Sequence, residues 1–333
     1  MPRTKLTIAI LCALTCVLWI IRLAAPDDLL DRDQERPASY LLDIVENGQW
    51  IVQTDAYGHV ASKPPASLWV AAPAALLVDG APRWVRTLPS FLGVLGTALL
   101  VWWIGRRGMG DWPGILAALL FLATPMAAKA VALVRTDAFF TFAVTLTACL
   151  AYRAWQDGKG WTGIWLAGTL ATLTKGPQGL VFALGGLLAV RGSQTAPPRW
   201  RAWLPGVVLW ILIAGGWLLA ATFVLGDAVT DKMLGDELVG HVVEGDGGEI
   251  PGTRFWVPLL SILIHAAPWS LVLPVAAVWV WRRRHLDSNA VEHPAEYGDL
   301  LRFALFWLLV GLAVLALAGH QRRDLVMPMV PAA

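Results

Sequence analysis

The sequence predicts an all-α polytopic membrane protein, a bundle of about nine transmembrane helices with a large first outer loop that carries interfacial helices. Three observations predict it. Hydrophobic residues make up 57% of the 333 positions and charged ones only 15%, with a mean hydropathy of +0.59. A soluble domain of this length needs more charge to stay in solution. Apolar runs long enough to cross a bilayer recur along the chain. Many of the 19 tryptophans stand near the ends of those runs, among them Trp84, Trp112, Trp161, Trp203, Trp256 and Trp281, where indole rings settle at a membrane interface.

The first run, 6–25, follows the basic start Arg3-Thr4-Lys5 and precedes Asp27-Asp28. It is long for a signal peptide and lacks a small-x-small cleavage site, so it reads as an uncleaved first span. Further runs fall at 85–105, 112–132, 138–155, 161–174, 177–190, 203–226, 255–281 and 301–319. The runs 161–174 and 177–190 are short and are separated by Lys175-Gly176-Pro177, so they read as two tilted helices or one broken unit. Ser67 to Val78 is too short to span and reads as interfacial or re-entrant. Cys12, Cys16 and Cys149 all lie within apolar runs and carry no metal or disulfide spacing. The whole chain, 1–333, reads as one membrane domain with no internal repeat.

Basic residues orient the bundle. With the N-terminus inside, Arg3, Lys5, Arg106, Arg107, Arg153 and the Arg282-Arg283-Arg284 run flank helix ends on the cytoplasmic side. The outer cations are interspersed with carboxylates, as ordinary solvated loops or anion-holding segments would be. Two outer loops are large, 26–83 and 226–254, so the elaboration of the chain lies outside.

The first outer loop opens with Asp31-Arg32-Asp33-Gln34-Glu35-Arg36-Pro37. An amphipathic stretch follows from Ala38 to Glu46, with Pro37 suited to a first helical turn and Asn47-Gly48 to a stop, and it predicts a surface helix. Trp50-Ile51-Val52-Gln53 alternates like a short strand, and Asp55-Ala56-Tyr57-Gly58 reads as a turn. Lys63 precedes Pro64-Pro65, which stiffen its backbone. A lone interfacial lysine commonly snorkels, and one held beside a carboxylate cluster can also bind phosphate.

Arg135-Thr136-Asp137 and Thr174-Lys175-Gly176-Pro177 mark two more outer helix ends. Charges this close to hydrocarbon are paired or functional. If the helices bundle, Asp33, Arg36, Lys63, Arg135, Asp137 and Lys175 can meet in one outer pocket. Carboxylates there could act as a base and cations could hold phosphate, whereas a transport path would place its ions near the bilayer midplane.

Taken in order, Asp33-Gln34-Glu35-Arg36, Asn47-Gly48-Gln49-Trp50-Ile51-Val52, Lys63-Pro64-Pro65 with Trp69, and Arg86-Thr87-Leu88-Pro89-Ser90 form a series that Arg135-Thr136-Asp137, Leu173-Thr174-Lys175-Gly176-Pro177, Pro268-Trp269-Ser270, Pro328 and Pro331 continue. This series resembles the bacterial polyprenol-phosphate-dependent glycosyltransferases of the GT-C fold, in the style of the lipid A aminoarabinose transferases and protein O-mannosyltransferases. The resemblance implies an undecaprenyl-phosphate sugar donor, a periplasmic site in the bacterial inner membrane, and a lipid A, glycan or protein acceptor. It implies Asp33 as the catalytic residue with inversion at the anomeric carbon, and Asp137 as a second acid supporting Arg135 or a metal. Arg36, Lys63, Arg135 and Lys175 would bind the donor phosphate. Some relatives use a divalent cation; the sequence shows no ligand set for one.

The chain departs from the family pattern at several places. Gln34 stands where many relatives have Glu, and Ser62 where aminoarabinose transferases tend to have Glu. His241 takes the place of a phosphate-binding arginine. Gln321 and Leu325 replace a terminal Lys and Tyr, with Arg322 and Arg323 nearby as substitutes. Glu35 is a further candidate in the first loop. The later helices and soluble C-terminal domain of many relatives are not in the sequence, which reads as a possible fragment. The competing readings are a transporter or lipid flippase, and a catalytically inactive relative that binds partners.

Overall fold

In this computed structural model the described residues are 2–26, 29, 32–192, 200–233, 235, 255–271, 295–318 and 323–333. Among them the fold is helical and no β-strand forms; an isolated bridge pairs Thr54 with Val60. The helices are α1 (Pro2–Ala24), α2 (Arg32–Asn47), α3 (Ala66–Leu77), α4 (Arg83–Met109), α5 (Asp111–Leu122), α6 (Pro125–Ala130), α7 (Asp137–Asp157), α8 (Trp161–Lys175) and α9 (Gln178–Gly185). Then come α10 (Leu204–Trp210), α11 (Gly216–Leu225), α12 (Asp227–Thr230), α13 (Trp256–His265), α14 (Ala295–Leu317) and a 3-10 segment, Arg323–Ala332.

Among the described residues five stretches are long and apolar enough to cross a membrane: Arg3–Ala24, Arg83–Met109, Asp137–Asp157, Leu204–Leu225 and Gly298–Leu317. Four apolar helices are shorter: Ala66–Leu77, Asp111–Leu122, Gln178–Val190 and Trp256–His265. The run 112–132 is not one helix. It breaks where Thr124 accepts the Ala127 N–H at 3.2 Å and Pro125 starts α6, a capping pair that restarts the chain in a new direction. The run 203–226 is continuous, with one π turn at Ile211–Gly215 joining α10 to α11.

Polar contacts tie helix ends together at both ends of the bundle. At one end of the bundle Arg106 reaches Thr4 at 3.0 Å and Asp111 at 2.7 Å, and Arg107 pairs with Asp157 at 2.5 Å. At the other end the Arg83 guanidinium donates to the last carbonyls of α1, those of Arg22 (3.1 Å) and Leu23 (3.0 Å), and to that of Ala25 just beyond it, where the helix dipole favours a cation. The main core lies between α4, α5, α7, α9 and α14, around Val94, Val144, Tyr152, Phe182 and Phe303.

Close approach in this core depends on missing side chains. A Cβ on Gly93 of α4 would stand 2.5 Å from the Ala138 carbonyl carbon and 2.6 Å from the Phe139 nitrogen, both backbone atoms of α7 that cannot swing aside. Gly93→Ala should therefore lower stability by about 1–3 kcal/mol. Gly163→Ala, whose Cβ meets only the Leu150 side chain at 3.8 Å, should not. Thermal melts of the two variants in detergent measure the difference.

The first loop is two helices joined by an irregular arm. Helix α2 begins at Arg32, earlier than the 38–46 stretch expected, and Pro37 lies inside it. Asp33 and Glu35 in its first turn suit the helix N-terminus and favour the earlier start. The stop is as expected: α2 ends at Asn47 and the Gly48 N–H bonds back to the Ile44 carbonyl at 3.1 Å. The strand expected at 50–53 does not form. That segment is tied down singly instead: Trp69 Nε1 donates to the Trp50 carbonyl at 2.7 Å, Trp217 Nε1 to the Ile51 carbonyl at 2.9 Å, and Val52 packs against Ala221 and Val229. Buried Asp43 of α2 accepts the Thr54 N–H at 2.8 Å. The expected turn at 55–58 is present, with Gly58 N–H on the Asp55 carbonyl at 2.9 Å. Burial pushes the Asp55 carboxyl up, but hydrogen bonds from His59 and Tyr57 outweigh it and hold the group below its ordinary value.

Candidate active site

Helix α2 lies on the end of α3 and α4 through Tyr40, Leu41 and Ile44, which pack against Leu68, Ala71, Ala72 and Val85. This packing leaves the first turn of α2 facing the segment 131–136, which enters α7. Gln34 is buried there, and its Oε1 accepts the Val134 N–H at 3.1 Å. From the opposite side the Ser90 hydroxyl of α4 reaches the Leu133 carbonyl at 2.5 Å and the Arg135 carbonyl at 3.1 Å. The backbone on either side of Arg135 is thus held by two helices that come from distant parts of the sequence.

Arg135 is the junction of the site. Its Nη2 donates to the Asp33 carboxylate, its Nη1 to Asp324 at 2.8 Å, and its Nε stands 4.0 Å from Asp137. Asp137 opens α7 and pairs with Lys175 at the end of α8. A carboxylate at a helix N-terminus and an ammonium at a helix C-terminus each complement the local dipole. Gly176 then leaves the helix at φ +115°, and Gln178 Nε2 returns to the Lys175 carbonyl at 2.7 Å, so the break at Gly-Pro holds the lysine in place. Arg135, Asp137 and Lys175 are each about 15% exposed, whereas Asp33 is 40% exposed, the most open carboxylate of the group. The buried part of the network is structural in strength, and its open edge is Asp33.

Beside Arg135 lies a small cleft of about 20 Å³ walled by Pro37 and Leu41 of α2, Leu68 and Ala71 of α3, and Arg86 and Pro89 of α4. Apolar walls with two guanidinium groups suit a ligand that is part lipid and part anion. Lys63 is half-buried and sits just before Pro64-Pro65, which lead into α3, the helix that forms one wall.

Four of the expected site residues, Asp33, Arg135, Asp137 and Lys175, therefore meet in one network. Glu35 and Arg36 are exposed on α2 and stand outside that ion-pair network. His241 and Arg322 lie outside the described residues, as does the side chain of Arg323. Asp324 is a member that sequence reading missed. Its signal was local and misleading: an acid directly after two arginines looks like self-pairing. Among the described residues no group of three or more His, Cys, Asp or Glu is placed to hold a metal ion. The positive charge between Asp33 and Asp324 is a guanidinium.

Gln34 explains one departure from the expected Glu, since an amide there accepts the Val134 N–H without adding a negative charge to a cluster already rich in carboxylates. Gln34→Leu should leave the Val134 N–H buried without its partner and cost about 1–3 kcal/mol. Hydrogen exchange should show loss of protection at residues 133–135, and Gln34→Glu should recover much of it.

Comparison with known proteins supplies the remaining observation. A family model, dolichyl-phosphate-mannose-protein mannosyltransferase, matches residues 62–228, which include Lys63, Arg135, Asp137 and Lys175. An undecaprenyl phosphate-alpha-4-amino-4-deoxy-L-arabinose arabinosyl transferase of Edwardsiella ictaluri is 28% identical over 264 residues, 76% of this chain and 46% of that protein. A second transferase of the same description, from Sodalis glossinidius, is 22% identical over 311 residues, 89% of this chain and 52% of that one. The chain thus spans about half the length of these relatives. The crystal structure of ArnT from Cupriavidus metallidurans bound to undecaprenyl phosphate superposes with a TM-score of 0.74 at 17% identity, covering 97% of this chain and 58% of that one. The apo form gives 0.73 over 100% of this chain. At this identity the likeness establishes the fold.

Proposed function

The chain belongs to the dolichyl-phosphate-mannose-protein mannosyltransferase family, and from that premise we propose that it transfers a sugar from a polyprenyl-phosphate donor to an acceptor on the periplasmic face of the bacterial inner membrane. The observation that carries this reading is the meeting of Asp33, Arg135, Asp137 and Lys175 at one end of the bundle, beside a cavity with apolar walls. Ions gathered at helix ends suit chemistry at the membrane surface better than passage through its middle. The relatives named above are undecaprenyl-phosphate-dependent transferases, which supports the same donor class here.

In the proposed reaction an acceptor hydroxyl or phosphate oxygen attacks the anomeric carbon from the face opposite the donor phosphate. The new C–O bond forms as the C–O bond to phosphate breaks. The broken bond's electron pair leaves on polyprenyl phosphate, and where the acceptor carries a proton it passes to Asp33. The sugar inverts its configuration. Arg135, with Lys63, Arg36 and Lys175 and with Arg322 and Arg323 from the C-terminal segment, stabilises the leaving phosphate. Asp137 keeps Arg135 and Lys175 aimed at it. Glu35 and His241 are further candidates for the acceptor side. A divalent cation bound beside these side chains would add to the phosphate-binding charge.

The test uses the purified protein in proteoliposomes with a panel of labelled undecaprenyl-phosphate sugars and, in turn, envelope lipids, glycans and protein. Label should move from the donor to one acceptor class with inverted anomeric configuration by NMR. Movement of the labelled lipid across the bilayer without transfer would replace this reading with a flippase.

A further inference from the structure

The way Arg135 is held assigns a role to the carboxylate that sequence reading missed. We propose that Asp324 is a positioning residue that retains Arg135 while the donor phosphate takes the place of the Asp33 carboxylate on the guanidinium, so that donor binding itself frees Asp33 for the acceptor. This rests on the glycosyltransferase reading above.

Asp324 occupies Nη1 and Asp33 occupies Nη2, while Nε stands 4.0 Å from Asp137, beyond hydrogen-bond distance, and donates no hydrogen bond among the described residues. A phosphate is gripped by two parallel N–H groups of one edge. On the edge made by Nη2 and Nε, Nη2 donates to Asp33, while Nε donates no hydrogen bond and keeps only a long ion pair to Asp137 at 4.0 Å. A phosphate that takes this edge must displace Asp33 and need not disturb Asp324.

The two carboxylates are also mounted differently. Asp324 starts a segment whose Val326, Met327, Met329 and Val330 are buried, with Met329 seated so closely on Gly311 of α14 that a Cβ there would meet its sulfur at 1.8 Å. Asp33 is on the first turn of a surface helix and is 40% exposed against 30% for Asp324. Its backbone is fixed through neighbouring Gln34, so release takes a side-chain rotation and no movement of α2.

The test measures equilibrium binding of polyprenyl phosphate to the full chain in nanodiscs, together with donor kinetics. Asp33→Asn removes the competitor and should bind polyprenyl phosphate about tenfold more tightly than the wild type, the worth of one charge-assisted hydrogen bond, even though it cannot transfer. Asp324→Asn should bind about tenfold more weakly and raise the donor KM in proportion while kcat stays within about threefold, and Asp324→Glu should restore affinity. An Asp33→Asn affinity equal to or weaker than the wild type's overturns the exchange. An Asp324→Asn defect confined to kcat or to folded yield, without rescue by glutamate, reduces Asp324 to a structural ion pair and also overturns it. If Asp324→Asn fails to fold, the Asp324→Glu and Asp33→Asn arms decide alone. A wild-type protein that transfers sugar while these affinities fail to move refutes only this inference. A wild-type protein that neither binds polyprenyl phosphate nor transfers refutes the functional reading and the inference together.

Discussion

Asp33→Asn is expected to lower the transfer rate at saturating donor by about 100- to 10,000-fold, the range that a positioned general base contributes. The amide keeps the size of the carboxylate and can still sit beside Arg135, so the helix and its anchor at Gln34 have no steric reason to move. Asparagine cannot take the acceptor's proton, and it cannot oppose the positive charge that develops at the anomeric carbon. The folded yield and melting temperature should therefore stay close to the wild type's while product formation disappears. Paired measurements of thermal stability and label transfer check this. An Asp33→Asn protein with full activity assigns the chemistry elsewhere, first to Asp137.

Arg135→Gln is expected to abolish transfer and also to destabilise the protein, by about 3 kcal/mol. Removing the guanidinium leaves Asp33, Asp137 and Asp324 without the cation that joins them, while Lys175 stays on Asp137. Like charges brought together at partial burial are costly, and the effect exceeds that of a surface ion pair because Arg135 is only 16% exposed. Arg135→Lys should recover part of the stability and little of the activity, since an ammonium is a point charge and cannot span two carboxylates as a planar fork does. Adding Asp324→Asn to Arg135→Gln should return part of the lost stability and none of the transfer. Melting curves and transfer rates for the single and double variants check the pattern.

The fold class and four members of the ion-pair network were legible in the sequence for a definite reason. Bilayer thickness forces apolar runs of about 20 residues, and each charge tolerated at the end of such a run stands out against them. Arg135-Thr136-Asp137 and Lys175 were visible in this way, and Asp33 stood out as part of a charge cluster directly after a span. The misreadings have equally local causes. Trp50 to Gln53 alternates like a strand, but it has no partner strand to complete a ladder, and indole hydrogen bonds from Trp69 and Trp217 hold it. Thr124-Pro125 carries a helix-start signal inside a run whose hydropathy alone reads as continuous.

The sequence by itself determined that this chain is a helical membrane protein and which ends of its apolar runs carry charge, because hydrocarbon penalises polar groups at every position independently. The tertiary structure alone decided which charges meet. That Asp33 and Asp324 share one guanidinium, on separate terminal nitrogens, is a fact about packing between residues nearly three hundred positions apart. No local pattern encodes such a pairing, since it depends on how α2 and the C-terminal segment are seated against α7, and that seating is set by the fit of buried side chains rather than by any charge in the site.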